Sequence, residues 1–230
     1  MAKNYYTLDN IQKFTDALNK HRAQLASGET LKVSISYENS KMGPVASVSE
    51  LPYITCPAIC RTTCGPECYA AKLALLYPTV RDAYALNTAI LMDRPGEYWS
   101  AVKAAIRSVK FFRFHVSGDI IDPGYFGEMV NAAKENPETE ILCFTKRFQF
   151  VNDYLSAGGE IPANLHILFS GWTNLTPENP HKLPETNVYE KNQEPAQGWT
   201  KCGGHCFNCG CRGTGCWTAK SGETIAFKKH

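Results

Sequence analysis

The sequence predicts an α/β fold, arranged as a partial parallel (β/α) barrel with a cysteine-rich segment towards the C-terminus. Three observations lead to this prediction. Short apolar strands alternate with helical patterns after residue 110, as in parallel βαβ units. Three predicted strands end in polar or glycine-containing turns, and nine of the ten cysteines fall in two short segments. We expect one domain over residues 1–230, with residues 1–28 packed on it as a helix and residues 199–218 binding a metal.

The N-terminal part is predicted to contain helices and one strand. Apolar residues from Leu8 to Leu25 repeat at helical spacing, and Thr7 is a suitable N-cap. Leu31–Tyr37 alternates between apolar and polar residues, which predicts the first strand, whereas Glu38–Leu51 is typical of a loop. The further predicted helices are Tyr69–Tyr77, Val80–Met92 after a break at Pro78, and one that Pro95 opens.

The C-terminal part carries the alternation that predicts the sheet. The predicted strands are Lys110–Ser117, Glu140–Thr145, Leu165–Ser170 and Thr224–Phe227. The predicted helices between them are Pro123–Glu135 and Phe148–Ser156, and Thr173–Gly198 is predicted to be a long irregular excursion. Because functional residues collect at the carboxyl ends of parallel strands, the turns at Ser117–Asp119, Thr145–Arg147 and Ser170–Trp172 are candidate site segments.

The first cysteine segment places Cys56, Cys60, Cys64 and Cys68 at a uniform spacing of four. Soft thiolates in one short loop are ligands for an iron–sulfur cluster or for zinc. A cubane cluster takes four thiolates, or three when one iron is left open, so it stays open whether Cys60 is a ligand. The segment leads into a predicted helix N-terminus, where backbone N–H groups favour anionic sulfur.

The second cysteine segment, Lys201–Trp217, provides a further set of ligands. Cys202, Cys206, Cys209 and Cys216 are the predicted metal ligands, and Cys211 is an alternate. His205 is an additional zinc ligand type, so zinc is as well supported here as an iron–sulfur cluster. The glycines of this segment allow tight turns that point N–H groups at a cluster. One or two [4Fe–4S] clusters are therefore expected, with zinc as the alternative metal.

The overall composition describes a globular chain without a marked charge. Hydrophobic residues make up 43% and charged residues 20%, and the formal net charge is +2. Nucleic acid is therefore not favoured as a partner. The sequence has no apolar run of about twenty residues and no apolar core near Met1, so we expect no membrane partner and a cytoplasmic location. In that compartment, clustered cysteines indicate metal or redox chemistry rather than disulfides.

Three other residues are candidates for catalysis. His115 lies within a predicted strand, where a buried core histidine is the commoner outcome. Asp119 and Asp122 either position a substrate or cap the helix that opens at Pro123, and Lys146 and Arg147 either meet an anionic ligand or form a solvated strand end. Cys143 is expected to be a buried small hydrophobe, and Lys228–His230 a solvated tail.

Several stretches together resemble the phage gene-product-eighty-eight-like family. They are CP…C…CYAAK from Cys56 to Lys72, RFHVSGDIIDPGYF from Arg113 to Phe126, ILCFTKR from Ile141 to Arg147, CGGHCFNC…CW from Cys202 to Trp217, and the ending IAFKKH. This resemblance covers most of the chain from about Leu51 onward. It implies a cysteine-ligated iron–sulfur protein of phage origin, located in the cytoplasm of the bacterial host, and implies little about substrate.

A more distant likeness is to radical S-adenosylmethionine enzymes, which carry a three-cysteine loop after the first strand of a partial barrel. Their Gly-Gly-Glu stretch corresponds to Ser117, Gly118 and Asp119, which the likeness makes candidates for binding S-adenosylmethionine. The cysteine spacing departs from their usual pattern, and Tyr69 follows the last cysteine where their aromatic residue precedes it.

The resulting hypothesis is an iron–sulfur protein and, if it is an enzyme, one with reductive or radical chemistry at the first segment. Its substrate or electron donor is unknown. The alternative from another class is a zinc-stapled binding protein, with nucleic acid as a conceivable ligand. A third hypothesis is a redox or iron sensor. The colour of the purified protein separates iron from zinc.

Overall fold

The strands form one sheet of seven, in which every neighbouring pair runs parallel. The computed structural model describes residues 4–229. The strands are β1 (Ala46–Val48), β2 (Phe111–Phe114), β3 (Glu140–Thr145), β4 (Leu165–Ser170), β5 (Glu185–Tyr189), β6 (Thr200–Lys201) and β7 (Thr224–Lys228). Their spatial order is β1-β2-β3-β4-β5-β7-β6, so the sheet does not close and β1 and β6 are its edges. The predicted parallel α/β fold is confirmed.

Within residues 4–229, six of the seven α-helices match the predicted ones closely, and the last, in the second cysteine segment, was not predicted. The seven are α1 (Leu8–Ala26), α2 (Tyr69–Leu76), α3 (Pro78–Asp93), α4 (Pro95–Arg107), α5 (Pro123–Glu135), α6 (Phe148–Ser156) and α7 (Cys206–Arg212). Thr7 caps α1 as predicted, since its Oγ1 accepts the N–H of Asn10 at 3.3 Å. The chain bends between α2 and α3 at Pro78, because proline has no N–H to continue the first helix.

The two faces of the sheet are covered by different parts of the chain. Successive side chains of a strand point to opposite faces, so Phe112 and Phe114 join the larger core under the helices. Phe111 points the other way into a smaller core with Trp217 and the second cysteine segment. The contacts of this second core hold the cysteine-rich C-terminal segment against the sheet.

The prediction of a strand at Leu31–Tyr37 is wrong. The first strand is β1, which lies in the segment predicted to be a loop. In Leu31–Tyr37 the backbone is bonded by the Asn87 side chain instead of by a neighbouring strand. The Asn87 Oδ1 accepts the Ser34 N–H at 2.7 Å, and its Nδ2 donates to the Ser34 carbonyl at 2.9 Å. Ser36 alone forms an isolated bridge, with Ser47. A strand still precedes the first cysteine segment, but it is β1.

Two further predicted ranges need correction. The strand predicted over Lys110–Ser117 ends at Phe114, because His115 adopts a left-handed conformation with φ 58°. The segment Thr173–Gly198, predicted to be irregular, contains β5, which pairs with β4 and β7.

The C-terminal tail is also less solvated than predicted. The Lys229 side chain is 14% exposed and pairs with Glu67 at 3.2 Å and Glu190 at 2.9 Å, so it fastens the C-terminus to the first cysteine segment. The predicted position of His230 lies outside the described residues. None of the helices within residues 4–229 combines the length and the apolar character that crossing a membrane requires.

Candidate metal centre and its surroundings

The first cysteine segment is the loop that joins β1 to α2. Cys60 lies in a short 3-10 turn, and Cys68 is the N-cap of α2, whose Ala71 N–H donates to the Cys68 sulfur at 3.4 Å. Gly65 lets the loop fold back on itself, because a Cβ there would lie 2.4 Å from the Cys60 carbonyl oxygen. The thiol that opens α2 therefore accepts backbone hydrogen bonds, which favour anionic sulfur but are outweighed here by burial.

The four thiols of this segment lie close together. Hydrogen bonds to the thiols of Cys56 and Cys64, together with burial, raise the pKa of Cys60. The bond from Cys60, helped by the positive charge of Lys146, lowers the pKa of Cys64 against the effect of burial. Burial raises the pKa of Cys68 to about 12, and the charges of Cys56 and Cys64 add to that effect. Four soft donors with linked ionisation are the donor set that a thiolate-bound cluster uses.

Two tyrosines that sequence reasoning did not select hold this loop in place. The Tyr53 hydroxyl donates to the Gly65 carbonyl at 2.9 Å, and Tyr53 has a left-handed backbone with φ 68°. Burial raises the pKa of Tyr53, and the neighbouring charges of Cys68, Cys56 and Cys64 raise it further. The Tyr69 hydroxyl donates to the Val116 carbonyl at 2.5 Å, which ties α2 to the end of β2.

The predicted turns at the carboxyl ends of the strands do meet. The Asp119 carboxylate accepts the Thr145 hydroxyl at 2.6 Å and the Lys146 N–H at 2.9 Å. The Lys146 ammonium donates to Ser170 Oγ at 2.6 Å and lies 5.8 Å from the centre of the Trp172 ring. Since Lys146 also acts on the Cys64 pKa, these strand ends and the first cysteine segment share one region.

Asp119, predicted to contact S-adenosylmethionine, is buried and hydrogen-bonded within the protein. It is 5% exposed, and burial raises its pKa while the hydrogen bonds from Thr145, Lys146 and Ile120 oppose that rise. Its oxygens therefore tie β2 to β3. Asp122, not Asp119, caps α5, through its Oδ1 and the Tyr125 N–H at 2.7 Å. Ser117 is buried, and its hydroxyl has no hydrogen-bond partner among residues 4–229.

His115 is buried, and its Nε2 lies 3.6 Å from the Glu50 carboxyl. Its Nε2 is 2.9 Å from the Tyr125 hydroxyl, and its Nδ1 is 3.7 Å from the Cys143 sulfur. Burial, with a smaller contribution from Arg113, lowers the pKa of His115 to about 3, so the ring is neutral at pH 7. Tyr125 in turn meets Tyr98, whose hydroxyl donates to the buried Glu50.

Glu50 is expected to make stability depend on pH. Burial raises its pKa from 4.5 to about 8, so between those values the folded chain holds a proton that the unfolded chain loses. The free energy of unfolding then falls as pH rises through that range. His115 acts in the opposite direction only below 6.5, where the unfolded chain gains a proton. Between pH 6.5 and about 8 the lowered pKa of Cys64 acts against the Glu50 effect, so the Glu50 effect is the difference between the native chain and a chain without the Glu50 carboxyl.

Urea unfolding of the native chain and of Glu50→Gln at pH 6.5, 7.25 and 8 measures this effect. We expect the native chain to lose roughly 1–2 kcal/mol more over that range than the Glu50→Gln chain does. Glu138→Gln, an exposed change of the same chemistry, is the control and should follow the native chain. Equal slopes for all three chains contradict the assignment.

The second cysteine segment is held on the sheet by aromatic contacts and backbone bonds. The Trp217 indole N–H donates to the Cys206 carbonyl at 2.9 Å, and its ring centre lies 5.1 Å from that of Phe111. The Phe207 N–H donates to the Met42 carbonyl at 2.9 Å. The Cys202 N–H donates to the Ala226 carbonyl at 2.9 Å, which extends the pairing of β6 with β7. Both ends of the segment are thereby fixed.

Four of its five thiols form a second group. Burial raises the pKa of Cys216, and the charges of Cys202, Cys206 and Cys209 raise it further. Gly203 and Gly215 make room for Cys209, whose sulfur would lie 3.1 Å and 3.6 Å from a Cβ at these positions. Cys211 is exposed. The spatial grouping therefore separates Cys211 from the four predicted ligands, which the sequence left open.

His205 is the N-cap of α7. Its Nδ1 accepts the Asn208 N–H at 3.3 Å, so this nitrogen is engaged in the helix. Its ring lies over Gly43, where a Cβ would come within 2.4 Å of the His205 Cε1. The local structure thus gives His205 a capping and packing role.

Arg113 lies between the two cysteine segments. Its Nη1 is 3.4 Å from the Met42 sulfur, and its Cζ is 4.7 Å from the centre of the Phe144 ring. Its guanidinium hydrogen-bonds Tyr69 next to Cys68, and its charge also acts on Cys216. Its Nε is buried and has no hydrogen-bond partner within residues 4–229. Arg113 opens one of the stretches that carry the family resemblance, but its position between the two cysteine segments follows from the pleat of β2.

The cysteines provide the right donor atoms for a thiolate-held group, although their side chains are not arranged around a metal position. Within residues 4–229, no group of three or more His, Cys, Asp or Glu side chains has the geometry to hold a metal ion. In each segment neighbouring thiols instead influence one another's ionisation: they raise the pKa of Cys60 and of Cys216, and the hydrogen bond from Cys60 lowers that of Cys64. Eight sulfur donors in two groups of four are the ligand chemistry of iron–sulfur clusters and of structural zinc.

Comparison with known proteins places the chain in a family without adding an activity. No curated protein and no solved structure matches it. A family model described as Gene product 88 matches residues 12–222, which includes both cysteine segments and most of the sheet. The chain therefore belongs to the phage Gene product 88 family.

Proposed function

We propose that this protein is an iron–sulfur protein that holds one [4Fe–4S] cluster in each cysteine segment, on a sheet that curves as a partial barrel. The observation that carries the proposal is the grouping of the thiols. Cys56, Cys60, Cys64 and Cys68 lie in the one loop between β1 and α2, and Cys202, Cys206, Cys209 and Cys216 all pack against the smaller core. A bound [4Fe–4S] cluster supplies one-electron transfer.

The two segments are proposed to have different roles. The first lies beside the meeting strand ends, where Lys146 and Ser170 provide polar groups next to Cys64. We assign reductive chemistry on a substrate to this segment, because polar side chains at strand ends are where α/β folds place their reactions. The second segment packs Trp217 and Phe207 on the sheet, so we assign it a structural or electron-supplying role.

S-adenosylmethionine binding at Ser117, Gly118 and Asp119 stays a prediction. The Asp119 oxygens already accept three protein hydrogen bonds, from Thr145, Lys146 and Ile120. The proposal therefore assigns Asp119 the positioning of the Lys146 backbone rather than contact with a cofactor. The Ser117 hydroxyl is the polar group of this turn that still lacks a partner within the described residues.

Visible absorption of the anaerobically purified chain tests the class of the bound metal. A broad band near ~400 nm that disappears on exposure to air and an iron chelator is the expected result. A colourless chain that contains zinc contradicts the redox role and supports a zinc-stapled binding protein. Zinc is the rival with structural support, because the second segment fastens the C-terminal chain to the sheet as a structural zinc site would.

A further inference from the structure

A cavity of about 330 Å³ opens beside the first cysteine segment. Its wall includes the rings of Tyr6 and Tyr53, the residues Cys56 and Cys60, and the arginines Arg61 and Arg147. Cys64 and Cys68 are not part of the wall, so the cavity lies to one side of the thiol group rather than at its centre. A volume of this size suits a small organic molecule.

The cavity carries positive charge that no carboxylate offsets. None of its described lining residues is acidic. The arginines that form ion pairs within residues 4–229 are Arg22 and Arg94, on the far helices. Arg61 and Arg147 therefore face the cavity with their formal charge uncompensated by a described carboxylate. An anion is the ligand that such a pair favours.

Arg147 is held in a fixed orientation. Its Nε donates to the Ile120 carbonyl at 3.0 Å, and its Cζ lies 5.4 Å from the centre of the Phe150 ring. Its backbone N–H donates to Thr145 Oγ1 at 2.9 Å. A guanidinium fixed at Nε keeps its terminal nitrogens as a planar fork, which matches the geometry of a carboxylate or phosphate.

The opposite wall is aromatic. The rings of Tyr6 and Tyr53 meet edge to face, with centres 4.7 Å apart and planes at 70°. The Tyr53 hydroxyl is already used by the Gly65 carbonyl, so the ring is what Tyr53 offers to the cavity. Aromatic surfaces of this kind favour a flat or apolar group.

We propose that this cavity binds a small organic anion, in which a carboxylate or phosphate meets Arg61 and Arg147 and a flat group packs on Tyr6 and Tyr53. The ligand then lies next to Cys56 and Cys60. The inference deepens the proposed function, since it names the substrate class for the first segment and rests on that function for what the ligand is used for. Binding itself requires only the cavity and its charges.

Calorimetric titration of the full anaerobically purified chain with benzoate tests the inference, with benzyl alcohol and acetate as partial probes. We expect saturable benzoate binding and at least about tenfold weaker binding of benzyl alcohol, which lacks the charge. Arg61→Gln and Arg147→Gln should each weaken benzoate binding by about tenfold. Arg61 is exposed, so its variant should fold even if the Arg147 variant does not. Tyr6→Leu should weaken benzoate more than acetate.

Arg212→Gln is the matched control, because Arg212 is exposed on the second segment, and it should bind benzoate as the native chain does. Iron is measured in every sample. Absence of saturable benzoate binding to the iron-loaded chain overturns the inference but not the proposed function. If the arginine variants then also lose iron, Arg61 and Arg147 serve only to offset the charge of the thiolates. If the anaerobically purified native chain contains no iron and still binds benzoate, the proposed function is overturned and the anion site stands. Binding that is unchanged in both arginine variants also overturns the inference.

Discussion

A chain with Cys64→Ser is expected to lose the iron of the first segment and to keep that of the second, so that about half of the iron remains. The reason is that the Cys64 thiol accepts the hydrogen bond of Cys60 and lies within the electrostatic reach of Lys146 and Cys68. Serine oxygen is a poor ligand for iron in such clusters. Iron and acid-labile sulfide per chain are the quantities to measure.

The companion change is Cys209→Ser, which should remove the other half. Cys209 lies between Gly203 and Gly215, in the group with Cys216. Cys211→Ser is the matched control, since Cys211 is exposed and outside that group, and it should keep all the iron. Complete loss of iron from either folded single variant contradicts two independent clusters and indicates one cluster shared by both segments.

Gly118→Ala is expected to destabilise the fold by about 2–5 kcal/mol. Gly118 has φ +90°, where a side chain is strained, and a Cβ would lie 2.7 Å from Thr55 Oγ1 and 3.0 Å from Glu50 Cβ. Thr55 precedes Cys56, and its hydroxyl donates to the Leu51 carbonyl at 2.9 Å. The clash therefore pushes on the start of the first cysteine segment as well as on the buried Glu50.

Gly28→Ala separates strain from clash, because Gly28 has the same φ of +90° and nothing within 4 Å of its Cβ position. We expect this control to cost only about 1 kcal/mol. Chemical denaturation measures both variants, and iron content should fall in Gly118→Ala alone. Similar destabilisation by the two changes would show that Gly118 is required only for its backbone conformation.

The helices and the central strands were predictable because each carries its own pattern. The proline at the start of α3 and the apolar cores of β3 and β4 act locally, so their positions follow from a short window of sequence. The first strand was misplaced because β1 has only three residues, too few for an alternation to show. Leu31–Tyr37 had the alternation, but the Asn87 side chain, distant in sequence, took its backbone bonds.

Part of the candidate site could likewise be predicted from the sequence, and part could not. Two runs of cysteines are visible in the sequence, and so are the polar turns that end β2, β3 and β4. The surroundings of the cysteines depend on contacts between distant residues, and no motif marks Glu50 or Tyr53. For Glu50 the cause of the altered pKa is burial beneath α4, next to Tyr98, which only the fold reveals. The left-handed φ of Tyr53 and of His115 gave no sequence signal, because neither residue is glycine.

The measurement that tests the central claim most directly is the iron, acid-labile sulfide and zinc content of the chain purified without oxygen. Two clusters predict about eight iron atoms and about eight sulfide ions per chain, with little zinc. About four of each would leave one cluster and make the second segment the zinc site or the empty one. One or two zinc ions per chain, with neither iron nor sulfide, would contradict the account.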